Sequence, residues 1–474
     1  MTVSTGPIEP AELLARIPDF EQALAIYRRD LASDNLIDLS VAENVLVYED
    51  SMQKMVFDDT RLLPEKYIHY VSPYGDLKLR EKVAVLLTKA FEAPVAPGDL
   101  FGTGGVGSAL ECLAFALQGP LLPGEAGPPP LKEGDAVLLP APYWQGFNWS
   151  FEQRPKLKCV PVPLSTEGPD RFKLTLDAIK QAYFKHNRLF GEFPRLLALT
   201  NPHNPLGVNY GQPLLDEIYA WVLGETDMHI ISDEIYCHSQ VDGARVPFTS
   251  ALALDAYDRA PERIHVVWGF AKDFGLSGFR TGFVVSKSGP VQRAMLGTKG
   301  IEEKKHPMSW FTPVDSLKHF VLRAILDTTV NGGGAELYTD FAMRRYRELL
   351  SESFEKVRDR LVARNIEFVH TEGDNPAQFF WVDLTAYLGK RPPEGAAAVT
   401  PLPFTLDTDV NDDELWLFNY LAGPAAEVAL LPGETMHSPA PGYFRLCFTA
   451  YQPEVVCTAI DRVADALSKL VILG

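Results

Sequence analysis

Four polar clusters stand beside apolar runs of the chain and carry groups that could do chemistry. They are GTGGVGS at 102–108, NPHNPLG at 201–207, DEIY at 233–236 and AKDFGLSGFRTG at 271–282. A lysine amine forms Schiff bases with carbonyl compounds, a carboxylate holds a proton, and an arginine beside a glycine-rich helix start binds an anion. Lys272, Asp233 and Arg280 provide one of each.

Each cluster taken singly has an ordinary structural explanation. Asn201 and Asn204 beside prolines are typical turn residues, and Asp233 after a strand is a typical helix N-cap. Lys272 would be a solvated loop lysine and Arg280 a surface charge. The order of all four clusters along one chain is what favours a functional site.

Another charged position lies in an apolar run near the end of the sequence. In YFRLCF at 443–448, the alternation of a strand places Tyr443, Arg445 and Cys447 on one face. A lone arginine on an otherwise apolar strand needs an anionic partner, so Arg445 is a candidate for anion binding.

Short apolar runs alternate with helical runs from about residue 75 and would position these clusters. The runs are DAVLLP, KCVPVPL, PRLLALT, HIISD, IHVVWG and GFVVS. Apolar strands separated by helices predict an α/β fold with a parallel sheet covered by helices on both faces. Ligands of such sheets bind at the carboxyl ends of the strands, which is where the clusters stand.

The pattern changes after about residue 310 to a long amphipathic helical run followed by strand-like AQFFWVDL, helical DELWLFNYLAG, the strand YFRLCFTA and a closing helix. We predict a smaller α+β domain here. The division is an N-terminal arm at 1–65 that contributes to the small domain, a large domain at 66–315 and the small domain at 316–474.

Composition excludes several classes of partner. The chain has 474 residues, with 44 Lys and Arg against 62 Asp and Glu and a net charge of −18, so nucleic acid and anionic membranes would be repelled. A signal-peptide pattern and a membrane-spanning apolar run are both missing, which predicts a cytoplasmic protein. The 5 scattered cysteines form no CxxC pair, so neither disulfides nor a metal is expected.

The clusters and further stretches resemble one known family. The stretches are DLSVAENVL at 38–46, GGVGSALE at 104–111, PYWQGF at 142–147, TNPHNPLG at 200–207, SDEIY at 232–236, AKDFGLSGFRTG at 271–282 and PGYFRLCF at 441–448. In this order they resemble fold-type I pyridoxal-phosphate (PLP) enzymes, most closely the 1-aminocyclopropane-1-carboxylate (ACC) synthases. The resemblance implies the α/β, fold-type I PLP-dependent transferase fold, in which a large domain with a mainly parallel, mixed sheet between helices is joined to a smaller α+β domain. It also implies PLP as cofactor and a homodimer with shared active sites.

The resemblance implies roles for the charged and polar positions. Lys272 would form the Schiff base with PLP, and Asp233 would keep the ring nitrogen protonated. Tyr236 and Asn204 would hydrogen-bond the phenolic oxygen of the ring, with Asn204 also near the substrate. Arg280 would bind the phosphate.

Further contacts are implied for the cofactor and the substrate. The backbone N–H groups of Val106, Gly107 and Ser108 would bind the phosphate at a helix N-terminus. Trp144 would stack on the cofactor ring. Arg445 would hold the substrate α-carboxylate bidentately.

The sequence departs from the family at two positions and is ambiguous at a third. The family usually has serine three residues before the lysine, donating to the phosphate, and another directly before it. Here these are Gly269 and Ala271. One phosphate hydrogen bond should therefore be missing or come from elsewhere. The tyrosine that crosses from the second subunit is Tyr70 or Tyr74, and the general superfamily spacing favours Tyr70.

Gly102, Gly104 and Gly107 also satisfy GxGxxG, the dinucleotide-binding pattern. The preceding DLF is too short for the expected buried strand. About twenty residues further on, where that pattern expects an acid at a strand end, Glu125 lies inside a Pro/Gly loop. A Rossmann site is therefore not predicted.

Ala42-Glu43-Asn44 bears on the substrate. It resembles the AEN motif of ACC synthases, whose glutamate helps define the sulfonium pocket, and an anion attracts a sulfonium. The resemblance implies S-adenosylmethionine as substrate, reacting through a lysine aldimine and a quinonoid. Methylthioadenosine would then leave by ring closure, or by γ-replacement with a second small molecule such as NAD. The other interpretation makes Glu43 an ordinary surface charge.

Two other functions stay open. An aminotransferase that passes the amino group to a 2-oxo acid shares the early steps and is the main alternative. A non-catalytic PLP-fold binding protein would lack a reactive Schiff base, and the full set of candidate residues argues against it. The product and any second substrate do not follow from the sequence.

Overall fold

The computed structural model describes residues 37–40, 42, 44, 46–47, 50, 75, 77–119, 129–168, 170–296, 315–330, 335–370, 373–393 and 411–472. Glu43, Tyr70, Tyr74 and Glu125 lie outside the described residues. No helix of the described ranges combines the length and the apolar character needed to cross a membrane.

A seven-stranded sheet forms the centre of the larger part of the protein, in the order β2-β8-β7-β6-β5-β3-β4. Its strands are β2 (Leu100–Thr103), β3 (Ala136–Ala141), β4 (Lys158–Pro163), β5 (Leu196–Thr200), β6 (His229–Asp233), β7 (Ile264–Gly269) and β8 (Gly282–Val285). Strand β8 runs antiparallel to β2 and β7, and the other pairs are parallel. The predicted mainly parallel, mixed sheet is confirmed.

Helices pack against this sheet and against the smaller sheet described below, because each helix offers an apolar face to the buried surface of a sheet. They are α1 (Leu77–Phe91), α2 (Val106–Gln118), α3 (Gly146–Asn148), α4 (Leu176–Phe190), α5 (Gln212–Glu225), α6 (Asp255–Arg259), α7 (Gly289–Leu296), α8 (Ser316–Asp327), α9 (Tyr338–Ala363), α10 (Asp412–Ala422) and α11 (Pro453–Leu467). Strands β5, β6 and β7 are buried at every position, as expected for central strands covered on both faces.

Two details of the large sheet differ from the sequence expectation. The sequence predicts no buried strand at DLF, but Leu100 and Phe101 continue through Gly102 and Thr103 to form β2, which is buried throughout. Among the described strands, β2 pairs with β8 alone and is an antiparallel edge strand. Strand β4 is the other edge, and it is largely solvent-accessible instead of buried on both faces. Prolines 161 and 163 remove backbone donors there, as is common at sheet edges.

A four-stranded antiparallel sheet forms the second layer, in the order β12-β13-β10-β9. Its strands are β9 (Glu367–Phe368), β10 (Phe379–Asp383), β12 (Leu431–Pro432) and β13 (Tyr443–Cys447). The N-terminal strand β1 (Ile37–Asp38) pairs in parallel with β11 (Val428–Ala429), so the start of the described chain joins its C-terminal part. The exact division at 65 and 315 stays a prediction.

Candidate active site

An anion-binding corner lies where helix α2 begins. The preceding Gly105 has φ +104°, a left-handed conformation that glycine adopts without strain. A Cβ built on Gly105 would lie 2.7 Å from Nη2 of Arg280, so the guanidinium reaches the helix N-terminus. Arg280 donates to the Ser277 carbonyl at 2.9 Å and has no carboxylate partner in the described part of the chain. The positive end of the helix and a cation therefore converge.

Trp144 lies over the same corner. Its Cη2 atom is 4.0 Å from the position of a Cβ built on Gly107. The half-buried indole meets Phe147 and Trp149 edge-on, with ring centroids 5.9 and 6.4 Å away. Phe147 and Trp149 therefore hold the indole ring of Trp144 near the start of helix α2, where the backbone N–H groups of Val106, Gly107 and Ser108 lie.

Lys272 and Asp233 lie near the carboxyl ends of the neighbouring strands β7 and β6. Asp233 is the last residue of β6 and is 3% exposed. Burial raises the pKa of Asp233 to about 7, against the lowering effects of the Ile235 backbone N–H and the Lys272 charge. Lys272 Nζ donates to the Ala42 carbonyl at 2.6 Å.

Arg445 lies at the meeting of the two sheets and is 4% exposed. Its Nη1 donates to Asn204 Oδ1 at 2.9 Å, its Nη2 donates to the Ser40 carbonyl, and its guanidinium carbon lies 4.9 Å from the centroid of the Phe379 ring. Burial lowers the pKa of Arg445. No carboxylate of the described residues hydrogen-bonds the guanidinium, because both partners are neutral oxygens and Nε has no partner there. The charge of the buried Asp38 still acts on Arg445 and opposes the lowering of its pKa.

Tyr236 is buried between these groups. Its ring meets Phe379 edge-on at 5.3 Å. Burial raises the pKa of Tyr236 well above its ordinary value, although the Arg445 charge opposes the rise. The phenol is therefore protonated at neutral pH and available as a donor.

Gly269, where the family has serine, has no room for a side chain. A Cβ there would lie 2.7 Å from the Thr281 carbonyl oxygen. Gly269 of β7 pairs with Gly282 of β8. A Cβ built on Gly282 would lie 2.8 Å from the backbone nitrogen of Val106, so the backbone is closely packed at both glycines. Ala271 is buried and already carries a Cβ.

The protein is similar in sequence to known proteins. The sequence profile of the family described as aminotransferase class I and II matches residues 34–463. The chain belongs to this family. ACC synthase 3 of Oryza sativa subsp. japonica is 31% identical over 79% of this chain and 73% of its own length. These findings confirm the resemblance to fold-type I PLP enzymes close to ACC synthases, and with it PLP as the cofactor.

Two other similar proteins differ in the activity that their names give. A mouse protein named probable inactive ACC synthase-like protein 2 is 33% identical over 59% of this chain, which spans 47% of that relative. Aspartate aminotransferase of Thermus thermophilus with maleate has a TM-score of 0.66 and 20% identity, with 97% of this chain and 100% of that chain covered. At that identity the likeness shows the fold alone.

The residues of this aminotransferase-family site fit PLP. The corner at α2 offers N–H groups and a cation for a phosphate, the buried carboxyl of Asp233 suits a protonated ring nitrogen, and Lys272 offers an amine. Arg445 keeps one donor unused in the described structure. Glu43 and Tyr70 lie outside the described residues, so their assigned roles stay predictions.

Sequence reasoning missed four residues around Lys272. They are Asn44, Ser239, Asp273 and Gln378, which contact the backbone of Lys272 or one another. Asn44 belongs to the AEN stretch, which was considered only for its glutamate. The signal for the other three was weak, because a polar residue next to a strand has many ordinary explanations.

We expect Gly269→Ser to lower the free energy of unfolding by about 1–3 kcal/mol, because the new Cβ meets backbone. Ala271→Ser adds only a hydroxyl and should keep nearly wild-type stability. Chemical denaturation and PLP titration of both variants measure this. A Gly269→Ser protein with unchanged stability and tighter PLP binding would contradict the steric account.

We expect Asp233→Asn to stabilise the PLP-free protein more at pH 8 than at pH 5. The pKa of this carboxyl is about 7 in the folded chain and about 3.9 when unfolded. The unfolded chain therefore releases its proton first, and folding becomes less favourable as pH rises from about 4 to about 7. Asparagine removes this cost, which is on the order of 4 kcal/mol by pH 8. Urea denaturation at both pH values measures it.

Glu234→Gln is the matched control. Burial also raises the pKa of Glu234 to about 7, but its carboxylate accepts from Ser232 Oγ and Ala251 N and serves the fold. Both variants should show the pH-dependent gain, and only Asp233→Asn should lose PLP. A gain of equal size at pH 5 and pH 8 would show that ionisation is not its cause.

Proposed function

We propose that this protein acts on S-adenosylmethionine in a PLP-dependent reaction that releases methylthioadenosine. The observation that carries the proposal is the contact of Ala42 and Asn44, on either side of Glu43, with Lys272. The stretch that resembles the ACC synthase sulfonium motif is thereby tied to the candidate reactive lysine.

Bound PLP supplies an electron sink that stabilises negative charge at the substrate α-carbon. Arg280 and the first N–H groups of α2 would hold its phosphate. Asp233 would keep the ring nitrogen protonated, and that positive charge would in turn favour the ionised form of this buried carboxyl. Trp144 would cover the ring, and Tyr236 would donate to its phenolic oxygen.

The protein's own groups bind the amino acid and move its proton. Arg445 binds the α-carboxylate with the help of Asn204, which already accepts from the guanidinium. The ε-amine of Lys272, once released by the substrate amine, takes the α-proton. The Ala42 carbonyl is positioned to orient that amine, because it accepts from Nζ at 2.6 Å.

Substrate choice would rest on Glu43. Its carboxylate would attract the sulfonium of S-adenosylmethionine, which an ordinary amino acid lacks. The bond between Cγ and sulfur then breaks, and sulfur leaves with the electron pair as methylthioadenosine. Ring closure would give a lyase, whereas γ-replacement would join the remaining carbon skeleton to a second small molecule such as NAD.

The assembly belongs to the same proposal. We infer a homodimer in which Tyr70 crosses to the site of the other subunit. The aminotransferase alternative is favoured by one specific observation: an Arabidopsis thaliana relative, 25% identical over 92% of this chain and 79% of its own length, is named a probable aminotransferase. Lys272, Asp233 and Arg445 would serve both reactions.

Lys272→Ala should abolish the Schiff-base absorbance of protein-bound PLP, because the substitution removes the amine that forms the Schiff base. Borohydride reduction of the wild-type protein, followed by peptide mass spectrometry, should place the pyridoxyl group on Lys272. Circular dichroism checks that the variant is folded. Wild-type-like absorbance in a folded Lys272→Ala protein would overturn the assignment.

Incubation with S-adenosylmethionine should release methylthioadenosine, detected by mass spectrometry with and without NAD as acceptor. Glu43→Gln should raise KM for S-adenosylmethionine by about 10-fold or more, since 1.4 kcal/mol of lost attraction has that effect. Its PLP content should stay unchanged. Conversion of amino donors to 2-oxo acids without any methylthioadenosine would instead establish the aminotransferase.

A further inference from the structure

The backbone carbonyl of Lys272 accepts hydrogen bonds from two side chains far away in sequence. Asn44 Nδ2 donates to it at 3.0 Å and to the neighbouring Asp273 carbonyl at 3.3 Å. Gln378 Nε2, one residue before β10, donates to the Lys272 carbonyl at 3.3 Å. Neither donor belongs to the large sheet, so the lysine peptide is held from outside it.

A buried polar network holds the amide of Gln378. Gln378 Nε2 carries two hydrogens and has three acceptors nearby, so one hydrogen is donated to Tyr346 Oη at 2.8 Å and the other is shared between Ser239 Oγ at 3.2 Å and the Lys272 carbonyl at 3.3 Å. The side chain is fully buried. Ser239 Oγ in turn donates to Asp273 Oδ1 at 2.6 Å. The network therefore ends on the residue directly after Lys272, and its members restrict one another.

Asn44 is fixed by its own segment. Its Oδ1 accepts from the Leu46 backbone N–H at 3.1 Å, which orients the amide so that Nδ2 points at Lys272. Two residues earlier, the Ala42 carbonyl accepts from Lys272 Nζ. One short segment thus contacts the lysine at both its backbone and its amine.

We propose that Asn44 and Gln378 are positioning residues for Lys272. They fix its peptide so that the ε-amine reaches the substrate α-carbon at the right distance and angle. A displacement of about 1 Å at reacting atoms costs on the order of 10²-fold in rate. The inference rests on the proposed role of Lys272 and adds two residues that act through its backbone.

Asn375 offers a matched control. It is 1% exposed, and its Nδ2 donates to the Ser239 carbonyl at 3.0 Å and to Asn209 Oδ1 at 3.1 Å. It is a buried amide in the same part of the chain as Gln378, but its hydrogen bonds do not involve Lys272. Asn375→Asp therefore makes the same chemical change away from the lysine peptide.

The test compares Asn44→Asp, Gln378→Glu and Asn375→Asp as PLP-loaded proteins. The first two place an acceptor oxygen where the Lys272 carbonyl needs a donor. Deuterium exchange at the α-carbon of methionine in D2O reads proton transfer by Lys272 whatever the final reaction. The pH titration of the bound PLP absorbance reads the environment of the lysine nitrogen. Urea denaturation reads stability.

Asn44→Asp and Gln378→Glu should slow α-proton exchange by about 10- to 100-fold and shift the pKa of the PLP absorbance. KM for methionine should stay nearly constant, because Arg445 is untouched. Asn375→Asp should lose stability without either change. Equal losses of activity in all three variants, with no shift of the absorbance pKa, would show that these amides serve packing alone.

A separate outcome would count against the proposed function. If a folded Lys272→Ala protein keeps the PLP absorbance, the lysine assignment fails and the positioning inference falls with it. If that absorbance disappears and Asn44→Asp and Gln378→Glu still exchange at the wild-type rate, only the positioning inference is wrong.

Discussion

Two buried ionisable groups that lack a direct ion-pair partner among the described residues, Asp233 and Arg445, are the constraint around which this site is built. Asp233 is held in a desolvated position by a single backbone donor and the field of Lys272, which leaves its pKa near 7. Arg445 is buried against neutral oxygens. Both arrangements cost free energy in the isolated chain. A ring cation beside Asp233 and a carboxylate at Arg445 would offset these costs, so the same features that weaken the empty fold favour binding.

The site also depends on the junction between the two sheets. Arg445 comes from the small sheet and Asn204 from a loop after the large one, yet they share a hydrogen bond. The junction is tight at Gly207, where φ is +78° and a Cβ would lie 2.1 Å from the Pro376 carbonyl oxygen. The last glycine of NPHNPLG is therefore required by backbone approach. The packing of the two sheets therefore sets the positions of Arg445 and Asn204 relative to each other.

Sequence patterns predicted the parts of this architecture that are local. Apolar runs gave the central strands, and clusters at their ends gave Lys272, Asp233 and Arg280, because strand ends share one edge of a parallel sheet. The sequence pattern did not predict strand β2, because two of its four residues, Gly102 and Thr103, interrupt the apolar run. The Lys272 contacts of Asn44 and Gln378 join residues 228 and 106 positions apart, which no periodicity reports.

Membership of the aminotransferase class I and II family supports an early chemical step more strongly than it supports one product. In the proposed function, Lys272, Asp233 and Arg445 would prepare an α-carbanion, which both proposed reactions need. The products would diverge at the substrate side chain, which has no proposed contact with these three groups. The segment around Glu43 is different, because Ala42 and Asn44 contact Lys272 directly. If Glu43 has the role proposed for it, a change of side chain there would alter substrate choice and leave the proton-transfer group in place, so specificity could diverge while the common step is kept.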